Sequence, residues 1–291
     1  MTISGIGVEN SWGAVGRNGG EVRLASSTVK TVGTTSYAVV AQGGSEDGSH
    51  QHAGSYLAYG KARGRVRHTF PDYEFHAGTD EFDARTVGAY WTAFSPRGAY
   101  VDAVAQYTWY DFRARSTRLP DVFTNGDGVL ASLEAGWPWA IGQAGSGESG
   151  QPGWHIEPQA QVIWQKVTVD DLVDAAARVR YSDGDSTVGR LGLRLNRTGE
   201  RAVNAGMRAT SWWIRANAWH QFSGAPTTEF SSARGYLPFT ADLGDSWGEA
   251  GVGGTWQVSA TGYLFADADY TWSFDGEETS WNAKVGVRWQ W

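Results

Sequence analysis

The chain has 291 residues, a formal net charge of -7 and no cysteine, which excludes disulfides and thiolate chemistry and argues against the basic footprint of a nucleic-acid-binding protein. Mean hydropathy is -0.40, and no stretch approaches the roughly 18 apolar residues that a membrane-spanning helix needs. A helical membrane protein is therefore excluded, whereas a β-barrel is not, because half of each barrel strand faces a polar interior.

The first segment, residues 1–43, differs in sequence pattern from the rest of the chain. Short strand-like runs at Gly20–Leu24, Thr28–Val32 and Tyr37–Val40 alternate with clusters of small residues. Short strands with small-residue corners are typical of the rungs of a parallel β-helix, and a disordered lead is the alternative. Residues 44–53 are rich in glycine and serine and predict a linker.

From residue 54 onward, about ten strand-like segments recur, and the gaps between them alternate short and long. Tight turns are predicted at 95–98, 197–200 and 259–262, and long polar connections at 68–83, 113–127, 168–185 and 223–245. The connection at 142–153 is an exception, being long where a short turn is due. Alternating short turns and long loops are typical of outer-membrane barrels.

Each strand-like segment has one apolar and one polar face, and the last segment shows this most clearly. Trp281, Ala283, Val285, Val287, Trp289 and Trp291 fall on one face, because successive strand side chains point to opposite sides. The aromatic residues sit at the two ends of that face, where a bilayer has its headgroups. A soluble β-sandwich with a dry core, acting as a binding protein, is the alternative.

The opposite, polar faces supply the candidates for lining a barrel interior. Their mixed charges predict ion pairs that hold the barrel rigid. The candidates are Asp102, Gln106, Glu134, Glu157, Gln159, Gln161, Arg190, Arg194, Arg215, Glu249, Asp267 and Asp269.

Four stretches together resemble the C-terminal translocator domain of type V autotransporters: Gly98–Asp102, Ala131–Pro138, Ile156–Gln165 and Val285–Trp291. The resemblance implies an all-β, antiparallel transmembrane barrel in the cell outer membrane of a Gram-negative organism. It also implies a translocator that forms a hydrophilic pore for export or surface anchoring of a passenger. Val285, Val287, Trp289 and Trp291 look like the family's membrane-assembly signal.

The resemblance also exposes a departure, because family barrels have twelve strands and only about ten are recognisable here. We therefore expect a truncated translocator. Residues 54–291 are assigned to the barrel and 1–43 to a β-helix-like passenger remnant, joined by the linker 44–53. A barrel with missing strands has unpaired edges in lipid, where each bare backbone group costs several kcal/mol. Closure thus requires either a narrower barrel or recruitment of residues 20–40 as edge strands.

The expected partners are outer-membrane lipid, the barrel-assembly machinery and the chain's own passenger segment, with no nucleic acid. We expect a monomer without cofactor, metal or enzymatic activity. A porin-like channel is one alternative and an outer-membrane enzyme is another. An enzyme would use a histidine beside carboxylates as general base or metal site, and the one such cluster is also explained as a polar loop. It comprises His68, His76, Asp72, Glu74, Asp80, Glu81 and Asp83.

Overall fold

The computed structural model describes residues 21–24, 27–44, 48–69, 74–141, 153–175, 177–182, 184–203, 206–224, 227–232, 235–240, 245–275 and 279–289. All regular structure in these residues is β-strand, and every pairing between strands is antiparallel. None of them forms a helix with the length and hydropathy required to cross a membrane.

The strands, in chain order, are β1 (Glu21–Leu24), β2 (Ser27–Gly44), β3 (His50–Thr69), β4 (Glu74–Phe94), β5 (Tyr100–Ser116), β6 (Val122–Gly136), β7 (Trp139–Ile141), β8 (Gly153–Val169), β9 (Leu172–Val173), β10 (Arg178–Tyr181), β11 (Gly184–Val203), β12 (Gly206–Ser223), β13 (Thr227–Ser232), β14 (Gly235–Thr240), β15 (Ser246–Gln257), β16 (Gly262–Ser273) and β17 (Thr279–Trp289).

Twelve of these strands form a ring of pairings. The order is β1-β2-β3-β4-β5-β6-β8-β11-β12-β15-β16-β17, and β17 pairs back onto β1. That last pairing is short and joins Glu21 to Trp281, Val22 to Ser280 and Arg23 to Thr279. The predicted all-β antiparallel barrel is thus confirmed, with the N-terminal segment supplying the two strands that the sequence pattern lacked.

The assignment of residues 1–43 to passenger rungs and of 44–53 to a linker therefore needs correction. Residues Ser27–Gly44 pair with β3 along its length, and β3 itself begins at His50, inside the expected linker. The physical reason is that a barrel without these strands would have an unpaired edge in lipid. The N-terminal strands supply the hydrogen-bond partners that lipid cannot give to the backbone groups of that edge. Residues 1–20 lie outside the described part of the chain.

The apolar and polar faces separate as the alternation predicts, but no dry core lies between two layers. Leu191, Val285 and Trp281 are 70%, 51% and 46% exposed. Among the apolar residues whose burial is described, only Ala62 and Val179 are buried. A β-sandwich of this length would bury most of its large apolar side chains, so the soluble sandwich is wrong.

The strands extend further than the sequence pattern predicts at the end where the connections are long. The expected loop at 68–83 is mostly strand, because β3 runs to Thr69 and β4 starts at Glu74. Segments from two of the other long connections, 168–185 and 223–245, pair into a separate four-stranded sheet, in the order β14-β13-β10-β9. The strands of this sheet are only two to six residues long, so the search for apolar alternation passed over them.

Several glycines leave room for an aromatic ring of the neighbouring strand. A Cβ added at Gly88 would lie 2.3 Å from the Tyr56 ring, and one at Gly136 would lie 2.3 Å from the Tyr100 ring. Gly253 and Gly286 receive Trp213 and Phe265 in the same way, at 2.5 and 2.2 Å. Each glycine is paired directly with its aromatic residue across two strands. The pairs therefore fix strand register, since a slip would drive the ring into a side chain.

Replacing Gly136 with alanine should destabilise the folded barrel by about 1–3 kcal/mol, because the Tyr100 ring must leave its position. Gly199→Ala is the matched control, because nothing lies within 4 Å of its Cβ position. Urea unfolding of detergent-refolded protein, followed by tryptophan fluorescence, measures both. Equal effects from the two alanines would show that the aromatic contact does not stabilise the sheet.

Candidate pore-lining network

Side chains of the polar face reach each other across an intervening strand. Tyr56 on β3 donates a hydrogen bond to Gln106 on β5 at 2.6 Å. The guanidinium of Arg190 on β11 lies 2.7 Å from the carboxylate of Glu134 on β6, with β8 between them. Short polar contacts that skip a strand indicate a concave face, because side chains converge there and diverge on the convex side. The polar face is therefore the inside of the curved sheet.

A first cluster on this face surrounds Glu134. Tyr100 donates a hydrogen bond to Glu134 Oε1 at 2.5 Å, and Gln159 donates to the Tyr100 hydroxyl at 3.0 Å. Gln159 also donates to Glu157 at 2.6 Å. Arg190, only 7% exposed, contacts Glu134 through charge rather than through a linear hydrogen bond. Three strands, β5, β6 and β8, are thereby linked to β11.

A second cluster is centred on Arg215. Its Nη2 donates to Asp269 Oδ1 at 2.7 Å, and its Nε lies 3.0 Å from Glu249 Oε1. Glu249 also accepts hydrogen bonds from Asn217 at 2.8 Å and from the Trp219 indole at 3.1 Å. The Trp219 ring lies 5.3 Å from the Arg190 guanidinium, so it connects the two clusters. One continuous network thus runs from β5 to β16.

The remaining candidates make shorter-range contacts on the same face. Asp102 accepts a hydrogen bond from Thr92 at 2.5 Å, and Gln161 donates to Ser132 at 2.9 Å. Arg194 lies 4.0 Å from Glu157. Asp267 lies 3.5 Å from Lys284.

All twelve candidates therefore occupy the concave face, and most contact another candidate. The twelve candidates did not include five residues that join them. These are Tyr56, Tyr100, Asn217, Trp219 and Lys284. Each lies on the same face of the sheet as the candidates, so alternation along each strand places these five residues there as well.

The described residues of the candidate enzyme cluster contact other partners. Lys61 lies 2.9 Å from Glu81 and 3.5 Å from Asp83, and His76 contacts Thr79 at 3.4 Å. The side chains of His68 and Glu74, and the whole of Asp72, lie outside the described residues. Within the described part of the chain, no group of three or more histidines and carboxylates has a metal-binding arrangement.

A family comparison identifies the architecture. The model of the autotransporter β-domain matches residues 7–270 of the chain. The chain belongs to the autotransporter family. The match begins well inside the segment first assigned to a passenger, in agreement with the place of β2 in the barrel.

Solved autotransporter domains share this fold. The transport unit of the autotransporter AIDA-I from Escherichia coli superimposes with a TM-score of 0.73 at 16% identity, covering 94% of this chain and 88% of that one. The β domain of the Bordetella autotransporter Brka gives 0.66 at 20% identity, covering 94% and 96%. Among sequences, the adhesin BmaC autotransporter of Brucella suis is 28% identical over 225 residues, which is 75% of this chain. The chain spans only 6% of the length of BmaC.

The autotransporter domain is therefore an outer-membrane translocator of type V secretion. Translocator domains of this family are pore-forming transport units, and the family implies an associated passenger. The end with long connections is accordingly extracellular and the end with short turns periplasmic.

Three of the four residues of the expected assembly signal, Val285, Val287 and Trp289, lie on β17. Val285 is 51% exposed on the convex face, and Val287 is half-buried on the same face. Trp289 ends β17, where it pairs with Gly262. Trp291 lies outside the described residues. The role of all four residues as an assembly signal stays a prediction.

Proposed function

We propose that the concave network lines the hydrophilic pore through which this autotransporter exports its passenger. The observation that supports the proposal is the contrast between the two faces of one sheet. The concave face carries a continuous network of charged and amide groups, whereas the convex face exposes large apolar side chains such as Leu191 and Val285. A chain passing through such an interior meets polar groups that are already paired with each other.

The paired charges favour transport of an unfolded chain without tight binding. Arg190 and Arg215 are held by carboxylates, so neither is free to bind the chain in transit. The candidates include six carboxylates, Asp102, Glu134, Glu157, Glu249, Asp267 and Asp269, against three guanidiniums, Arg190, Arg194 and Arg215. With Lys284 added, the named charges leave an excess of two negative charges. We expect the pore to prefer cations, since rings of carboxylates select them.

Cysteine modification tests which face lines the pore. The natural chain contains no cysteine, so Asp102→Cys and Val101→Cys each introduce a single thiol on neighbouring, oppositely directed positions of β5. In planar bilayers, a charged, membrane-impermeant thiosulfonate should lower the conductance of the Asp102→Cys protein and leave the Val101→Cys protein unchanged. Block at position 101 alone, or at neither position, would contradict the proposal.

A second part of the proposal concerns assembly. The convex apolar face of β17 contacts lipid, the barrel-assembly machinery binds the terminal strand, and the domain acts as a monomer without catalysing a reaction. Deleting residues 289–291 should lower insertion into the outer membrane of cells strongly and leave refolding in detergent nearly intact. The measurement is the heat-modifiable fraction on gels from both preparations. Equal losses would mean that the terminus stabilises the barrel and carries no signal.

A further inference from the structure

Toward the extracellular end, the residues on the convex face of β3, β4 and β5 change from aliphatic to aromatic and then to charged. Exposed Leu57 and Val87 are followed toward the extracellular end by Tyr59 and Trp109, which are 48% and 50% exposed. Aromatic side chains at this position mark the upper headgroup level of the bilayer. The next residues on the same face are charged. Four of them form what we call the basic patch: Lys61, Arg63, Arg113 and Arg115.

The basic patch lies within reach of the outer headgroup layer. Arg63 is four residues beyond Tyr59 on β3. Four strand residues span about 13 Å, and the tilt of barrel strands shortens the rise along the membrane normal to about 10 Å. The patch therefore lies just above the acyl chains on the lipid side of the barrel.

The four cations of the basic patch outnumber the carboxylates that face them. Glu81, at the centre, lies 2.9 Å from Lys61, 3.3 Å from Arg63 and 3.8 Å from Arg115. Asp121 pairs with Arg113 at 2.7 Å and lies 3.6 Å from Arg115. Even when Asp83 is counted for Lys61, three carboxylates face four cations. A further cation and a further carboxylate on this face, Arg85 and Asp111, pair with each other at 2.7 Å. Among these described side chains, one positive charge therefore remains, on a chain whose net charge is -7.

The geometry of the arginines leaves donors available to a further acceptor. Arg63 and Arg115 are 50% and 41% exposed. Arg63 donates to Glu81 through Nη2 at 3.3 Å, and Arg115 lies 3.8 Å from Glu81. Guanidinium groups bind phosphate with two parallel hydrogen bonds, and a shared carboxylate cannot satisfy three cations at once.

We propose that the basic patch binds the phosphate groups of a phosphorylated glycolipid in the outer leaflet of the outer membrane. The apolar side chains directly below the patch contact the acyl chains of the same molecule, which favours a lipid over free phosphate. Binding would tie the extracellular half of β3, β4 and β5 to the membrane surface. This proposal rests on the outer-membrane location of the barrel and is independent of which residues line its pore.

Thermal unfolding of the full chain, refolded in detergent, tests the proposal. Heat-modifiable migration on gels gives the unfolding temperature with diphosphoryl lipid A, with dephosphorylated lipid A of the same acyl chains, and with inorganic phosphate. Wild-type protein should be stabilised by diphosphoryl lipid A alone. The triple variant Arg63→Gln, Arg113→Gln and Arg115→Gln should need at least about tenfold more lipid for the same shift. Arg97→Gln, the same change in the exposed periplasmic turn, should bind as wild type does.

A variant that is expected to bind lipid A more strongly distinguishes loss of binding from loss of folding. Glu81→Gln removes the carboxylate that competes for three cations, so it should strengthen the response to diphosphoryl lipid A. The single variant Arg63→Gln should weaken it. Three results would overturn the proposal: an equal shift with dephosphorylated lipid A, an equal shift with inorganic phosphate, or an unchanged response in the triple variant or in Glu81→Gln. Because pore conductance is not measured, failure here is distinguishable from failure of the proposed pore.

Discussion

Replacing Arg215 with methionine is expected to destabilise the barrel by about 3 kcal/mol, because breaking a buried ion pair leaves carboxylates without a counter-charge. Arg215 lies 2.7 Å from Asp269 and 3.0 Å from Glu249, and these two carboxylates are only 10% and 13% exposed. Methionine fills a similar volume, so the change removes charge more than packing. Urea unfolding in lipid vesicles, followed by tryptophan fluorescence, gives the difference in the free energy of unfolding.

Two further variants separate charge from packing. Lys284→Met removes a cation from the same face, but Lys284 is 49% exposed and 3.5 Å from Asp267. Exposed pairs contribute little, so its effect should stay below about 1 kcal/mol. Neutralising both partners in Arg215→Met, Glu249→Gln and Asp269→Asn should recover most of the lost stability. If the triple variant is no more stable than Arg215→Met, uncompensated charge is not the cause.

Replacing Val285 with arginine should have a comparable effect, about 2–4 kcal/mol if the position lies near the bilayer midplane. Val285 is midway between Trp281 and Trp289 on the convex face of β17 and is 51% exposed. An arginine there cannot reach water without distorting the bilayer or the strand. The measurement is the same unfolding experiment, in vesicles whose acyl chains match the apolar belt.

Asn282→Arg is the control for added charge, because Asn282 lies on the concave face of the same strand, paired with Asp269. We expect an effect within about 0.5 kcal/mol of zero, as for most surface substitutions. Similar losses in both variants would show that β17 tolerates no arginine on either side, and the assignment of its faces would lose its support.

Much of the barrel could be predicted because alternation carries the information that the bilayer requires. Leu191, Leu193 and Val285 alternate with Arg190, Arg194 and Lys284, and the structure places the two sets on opposite faces. Apolar alternation does not predict the strands that lie outside the lipid-facing part of the barrel. The sequence at the extracellular ends of β3 and β4 is charged and carries no apolar stripe. The small sheet of β9, β10, β13 and β14 pairs Leu172, Val179 and Phe230 in one row, but its strands are only two to six residues long, too short for alternation to be recognised.

The N-terminal strands could not be placed from their own sequence. The many small residues of Ser27–Gly44 are compatible with β-helix rungs and with a barrel strand. The two are distinguished only because a barrel in lipid must close its ring of backbone hydrogen bonds. Similarly, the twelve polar candidates were chosen by charge and parity. Their grouping around Glu134 and Arg215 depends on curvature, which brings β6 near β11 and β12 near β16.

The central claim is that one face of the barrel strands contacts lipid and the other contacts water. Spin labels on Val285→Cys and Lys284→Cys, two adjacent positions in a chain without cysteine, test it in refolded, vesicle-embedded protein. Collision rates with oxygen, which concentrates in acyl chains, and with a water-soluble nickel chelate give the contact of each label. We predict that the label at 285 is more accessible to oxygen and the label at 284 to nickel. Greater access of nickel at 285, or the same ratio at both positions, would contradict the account.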